Sequence, residues 1–143
     1  MRIRNGTSNL FVQDKKSVID YLECRNVINK RYFNFLKSRK FGLLADAWLI
    51  ISGEPYEITH FLSKSSIMGY DIRKVNQTLS LEGTNEVAIA LVSGDDIICY
   101  NSQTQKVFLW MIQTGEGKKI TISNSLDDFF EMINKEAKNE KHN

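Results

Sequence analysis

Val87-Ala88-Ile89-Ala90-Leu91-Val92-Ser93-Gly94-Asp95-Asp96-Ile97-Ile98-Cys99-Tyr100 is followed, after Asn101-Ser102-Gln103-Thr104-Gln105, by Lys106-Val107-Phe108-Leu109-Trp110-Met111-Ile112. Three short apolar runs, rich in β-branched and aromatic residues, are separated by turn-forming polar residues. That pattern predicts consecutive antiparallel strands over Val87–Val92, Asp96–Tyr100 and Lys106–Ile112, with Ser93-Gly94-Asp95 as the first turn. The glycine-rich turn Thr114-Gly115-Glu116-Gly117-Lys118 comes next. Beyond it Ile120 and Ile122 alternate with polar residues, as a half-exposed strand requires.

Toward the C-terminus, Ser125-Leu126-Asp127-Asp128 opens the strongest helical pattern in the chain. Ser125 is a good N-cap, and the two aspartates sit where the helix dipole favours negative charge. Leu126, Phe129, Phe130, Ile133 and Ala137 fall on one face, and residues 138–143 form a solvated tail. Toward the N-terminus the order reverses. Residues 67–85 have no clear pattern and are taken as loop with one short element. Residues 56–65 place Ile58, Phe61 and Leu62 at helical spacing. Ala47-Trp48-Leu49-Ile50-Ile51 reads as a buried strand closed by a turn at Gly53 and Pro55. Residues 29–40 predict a helix ending at Gly42, and Ser17 caps an earlier one with Val18, Ile19 and Leu22 on its apolar stripe. Residues 1–16 read as polar and irregular.

Helices at both ends and strands grouped between them predict a single α+β domain over 1–143. Its sheet would be mainly antiparallel or mixed, of about four to six strands, with helices packed on it. The 143 residues suit one domain, and 42% apolar with 25% charged residues fits a globular chain rather than a disordered one. No apolar run approaches the roughly 20 residues needed to cross a bilayer, and no hydrophobic stretch follows the basic N-terminus. The expectation is a cytoplasmic protein without membrane contact.

Charge is unevenly spread. Residues 1–80 carry a net +6 and residues 81–131 a net −5. A dipolar surface of that kind steers a protein partner better than it coats nucleic acid. The basic run Arg25, Lys30, Arg31, Lys37, Arg39 and Lys40, interleaved with Tyr32, Phe33 and Phe35, is read as a solvated helix face over core aromatics rather than a nucleic-acid patch. Cys24 and Cys99 are expected to be buried thiols. With His60 and His142 they lack the spacing of a metal site, so no metal or cofactor is expected. Trp48 and Trp110 are expected in the core.

Taken together, the strand–turn–strand of Val87–Tyr100, the strand Lys106-Val107-Phe108-Leu109-Trp110, the segment Ile122-Ser123-Asn124-Ser125-Leu126-Asp127-Asp128-Phe129-Phe130 and the upstream Tyr32-Phe33-Asn34-Phe35-Leu36 resemble the SUKH superfamily of Smi/Knr-type domains. The resemblance spans about residues 20–136. The chain departs from it at Ile28-Asn29, where the family often has Leu-Pro, and at Phe41-Gly42, where it often has Asn-Gly. The resemblance implies an α+β domain with no catalytic residues. It implies an immunity protein of a bacterial polymorphic toxin system, which binds a cognate toxin (often a nuclease or deaminase) in the cytosol. Eukaryotic relatives imply a second role, a regulatory protein-interaction scaffold.

Candidate contact residues for such a partner are Glu82, Glu86, Asp95, Asp96 and Glu116 near the sheet turns, read as an acidic patch, with Tyr56 and Tyr70 from the middle of the chain. Gly94-Asp95-Asp96 is expected to be a hairpin turn bearing an exposed aspartate pair. One enzyme alternative uses the same residues: Asp95 or Asp96 with Glu116-Gly117-Lys118 has the spacing of a metal-dependent nuclease. Against it, Glu116 lies between two glycines in a turn, and a catalytic group needs rigid support. Cys24 with His60 could form a nucleophile–base pair, but nothing in the sequence supplies a third, orienting group.

Overall fold

A computed structural model describes residues 16–38, 42–43, 47–64 and 68–133. In chain order the elements are helix α1 (residues 16–24), α2 (Lys30–Ser38), strands β1 (Gly42–Leu43), β2 (Trp48–Ile51) and β3 (Glu54–Phe61), a 3-10 turn (Met68–Tyr70), α3 (Ile72–Thr78), β4 (Glu86–Val92), β5 (Asp96–Asn101), β6 (Val107–Met111), β7 (Lys118–Ser123) and α4 (residues 126–133). The expected α+β class is what forms. Every strand pair is antiparallel, in the order β1-β3-β4-β5-β6-β7, and β2 pairs with β3 beside β1. The expectations for residues 1–15, Ala137 and the tail fall outside the described residues.

The meander forms because its turns carry the right residues. Ser52 and Gly53, both at positive φ (52° and 81°), make the two-residue turn whose twist matches the β2–β3 strands. Gly94 (φ 90°) and Asp95 (φ 67°) reverse the chain between β4 and β5. A Cβ on Gly94 would also lie 3.2 Å from the Thr114 methyl, so the turn is packed against the β6–β7 loop.

One face of the sheet carries the main core. Tyr32 and Phe35 of α2 meet Phe61 of β3 and Phe130 of α4, and Phe129 packs on Phe61 and Phe130, with ring centroids 4.8–6.4 Å apart. Aromatic contacts at those separations add to the energy of burial itself. Ser125 caps α4 as expected, its Oγ accepting from Asp128 N at 3.1 Å, and Leu126, Phe129, Phe130 and Ile133 are all buried.

Three expectations are corrected. Residues 56–61 are strand, not helix. Between Ile58 (opposite Val92) and His60 (opposite Leu91) the β3–β4 register shifts, so the bulge turns Ile58 and Phe61 to one face although they are three residues apart. The helical spacing is that of a bulged strand. Gly42 does not cap α2; it lies in β1, opposite Phe61. The apolar run Trp48–Ile51 is an edge strand rather than a wholly buried one, with Leu49 and Ile51 inward and Ile50 48% exposed.

The unpatterned middle holds α3, whose placement rests on two polar side chains. Asp71 caps it, accepting from Lys74 N at 3.0 Å. Asn76 is 0% exposed and reaches the β4 backbone: its Oδ1 accepts from Ala88 N (2.8 Å), and its Nδ2 donates to Ala88 O (3.1 Å) and Ile72 O (2.8 Å). β3 pairs with β4 only from Ala90 onward, so the Ala88 peptide groups need another partner. The Asn76 amide supplies both a donor and an acceptor in place of a neighbouring strand.

Candidate interaction groove

Docking α3 through Asn76 leaves a groove between the helix and the face of the sheet that α2 and α4 do not cover. Leu91 of β4 and its cross-strand partner Ile97 of β5 form the floor. Val75, Thr78 and Leu79 of α3 form one wall, and the cavity is about 470 Å³. Tyr70 closes it on the β3 side. Its ring, 36% exposed, stacks on His60 at 4.1 Å between centroids and 18° between planes. Asp95 and Gln113 border it at the β4–β5 turn and the β6–β7 loop. The lining is mainly apolar, and Asp95 is the one charged residue in it among the described residues. Concave apolar sites with a few placed polar groups are the usual form of a binding site.

The loop that supplies Gln113 is fixed by Asp96. Its carboxylate accepts from Gln113 N (2.9 Å), from Thr114 N (3.1 Å) and from the Thr114 hydroxyl. Asp96 is 1% exposed. The expected exposed aspartate pair is therefore corrected at its second member: Asp95 is on the surface, while Asp96 is spent internally, joining the start of β5 to the β6–β7 loop. A buried carboxylate needs such donors to be tolerated.

The acidic patch is corrected too. β4 runs from Glu86 to Val92, and at about 3.3 Å per residue this puts Glu86 about 20 Å from the Ser93–Asp95 turn. Glu82 and Glu86 lie at one end of the sheet, Asp95 and Glu116 at the other. Glu82 accepts from the Tyr21 hydroxyl at 2.8 Å, and Glu86 pairs with Lys119 at 3.2 Å. Glu116 is exposed at φ 57° in the β6–β7 loop. Tyr56 is half-buried opposite Leu49, packs on the core and takes no part in the groove. Of the seven candidates, the groove brings together Tyr70 and Asp95. Leu79, Leu91 and Gln113 were missed. The available signal was Leu91, an apolar residue on the strand face opposite to that of Ala90 and Val92, paired across the strands with the buried Ile97.

The charge-rich halves interleave rather than face apart. Arg25 donates to the carbonyls of Leu81 (2.8 Å) and Glu86 (2.9 Å) and to the Tyr21 hydroxyl (2.8 Å), tying α1 to the α3–β4 loop. Arg31 pairs with Glu131 of α4 at 2.7 Å. Burial, reinforced by the proton given to Glu82 and opposed by Arg25, pushes the Tyr21 hydroxyl up to about 12. Arg25 is thus a structural clasp, and the basic face expected around it is partly consumed by internal contacts.

The remaining chemical candidates are not assembled. Cys24 is exposed on α1, correcting the expectation of a buried thiol, while Cys99 is buried in β5 and its thiol is pushed well above the ordinary range by burial. His60 is engaged by Tyr70 and by the Thr59 hydroxyl (3.1 Å), and burial lowers its pKa. Trp110 is half-buried beneath the Lys119 ammonium, 4.9 Å from its ring, and Trp48 is half-buried on the β2 edge, so neither is a full core residue. Among the described residues no group of three or more His, Cys, Asp or Glu is placed to hold a metal ion, and no helix is long and apolar enough to cross a membrane.

Comparison with protein-family models, with curated proteins and with solved structures found no match.

Proposed function

We propose that this chain is a non-catalytic binding protein that neutralises a cognate toxin by stoichiometric association, as an immunity protein of SUKH type. The observation that carries the reading is the groove: an apolar concavity between α3 and the sheet, lined by the exposed Tyr70 and by one acid, Asp95. Rigid aromatic and apolar residues around a desolvated recess are what protein interfaces use as anchors. The groove is also preformed. Asn76 fixes its helical wall and Asp96 its far loop, so little ordering entropy is lost on binding. The resemblance of Tyr32–Leu36, Val87–Trp110 and Ile122–Phe130 to the SUKH superfamily supplies the toxin as partner. The compartment in which the partner would meet it is the cytosol.

The nuclease alternative has no comparable support. Of its two candidate aspartates, Asp96 already accepts three hydrogen bonds from the β6–β7 loop, and Glu116, which either aspartate would need, stands exposed in that loop at φ 57° rather than on a strand. The test of the binding reading is affinity capture from the source lysate with the full chain as bait. The expected outcome is one stoichiometric partner with a toxin domain; the absence of any such partner would move the reading to a regulatory scaffold.

A further inference from the structure

A specificity for the groove rests on the binding role proposed for the chain, and it is the border rather than the lining that sets it. Asp95 stands at the β4–β5 turn with its side chain exposed, and among the described residues no cation lines the groove. Glu116 adds a second exposed acid on the loop that supplies Gln113, with Lys118 leaving that loop at its β7 end. On the groove's helix the Arg73 guanidinium points elsewhere, sitting over the Tyr21 ring at 5.1 Å, toward α1. The groove therefore presents an apolar recess of about 470 Å³ with negative charge at one end and, among its described lining residues, nothing to neutralise it from within.

We infer that the groove seats an apolar side chain of the partner with a lysine or arginine beside it, the cation meeting Asp95. Leu91, Ile97, Val75 and Leu79 remove the apolar group from water, the term that supplies most of the affinity. Tyr70, held by its stack on His60, covers it from the side. Asp95 adds register and discrimination: a partner with an acid in place of the cation would meet like charge. The backbone at Asp95 is left-handed, a conformation that Asp and Asn tolerate better than most residues. Asp95→Asn therefore removes the charge while keeping the turn.

The test is a selection of short random displayed peptides on the full-length chain, run in parallel on Asp95→Asn, Gln113→Lys and Thr78→Trp. Thr78 and Gln113 are exposed, so these changes alter the groove without touching the core. The wild type should enrich an apolar residue flanked by Lys or Arg. A synthetic peptide of that pattern should bind Asp95→Asn about three- to fivefold more weakly, the loss expected for a solvent-bordered ion pair. Gln113→Lys should weaken it further, and Thr78→Trp, which fills the recess, should abolish binding. Enrichment without a basic flank, equal binding to wild type and Asp95→Asn, or no enrichment would overturn the inference. Those results would leave the immunity reading standing if affinity capture still returned a toxin-bearing partner, so the two failures are distinguishable.

Discussion

Replacing Asn76 with alanine should cost this protein about 3 kcal/mol. The substitution removes the side chain that satisfies both peptide groups of Ala88, a residue with no exposed surface. The N–H and the C=O would then be buried without partners, at about 1–3 kcal/mol each, and part of that cost would be relieved if α3 shifted to admit water. Against a typical stability of about 5–15 kcal/mol the loss is large. Asn76→Asp should be at least as damaging at neutral pH. It keeps an acceptor for Ala88 N–H but turns a second oxygen toward the carbonyls of Ile72 and Ala88, which Nδ2 now serves. The assay is urea unfolding followed by the fluorescence of Trp48 and Trp110 and by circular dichroism, with ΔG compared at unchanged m. A loss under about 1 kcal/mol for Asn76→Ala would refute the idea that this amide stands in for a strand.

Three further outcomes are expected. Asp96→Ala should lower stability by about 2–3 kcal/mol in the same assay, because the donors at Gln113 and Thr114 lose their acceptor; an unchanged midpoint would return Asp96 to the status of a surface residue. Burial lowers the His60 pKa, so the unfolded chain takes up that proton first: the cost is absent above about pH 6.5 and grows as pH falls through that value toward the folded pKa. His60→Phe, which keeps a ring against Tyr70, should flatten the decline in stability between about pH 7 and 5, and identical slopes would contradict the assignment. Finally, an aromatic disulfide reagent should titrate Cys24 in the native protein and Cys99 only after denaturation, as their exposure and the raised Cys99 thiol require. Release of two equivalents from the native state would show that β5 is not closed.

The meander from Val87 to Ser123 was legible because its signals are local: alternating or continuous apolar runs, and Gly or Asn at the reversals. What escaped the sequence depends on contacts between distant residues. β3 read as helix because its bulge sets Ile58 and Phe61 three apart on one face, which periodicity alone does not separate from a helical stripe. α3 was obscured because its innermost position is a polar asparagine, and the partner that makes this acceptable is 12 residues away in β4. Asp96 looked like a surface acid because its donors lie 17 and 18 residues further on, in the β6–β7 loop. The groove was half legible. Tyr70 and Asp95 stood out singly as an aromatic and an acid near turns. Only the fold shows that they border one recess, and that Glu82 and Glu86 belong to the other end of the sheet.

The most direct measurement is growth rescue with the captured partner. Its gene is expressed alone, with the wild-type chain, and with the Thr78→Trp variant whose groove is filled. The predicted result is arrest by the partner alone, recovery with the wild type, and continued arrest with Thr78→Trp at equal protein level. Harmless expression of the partner would contradict the immunity reading, and full rescue by Thr78→Trp would contradict the groove as its site.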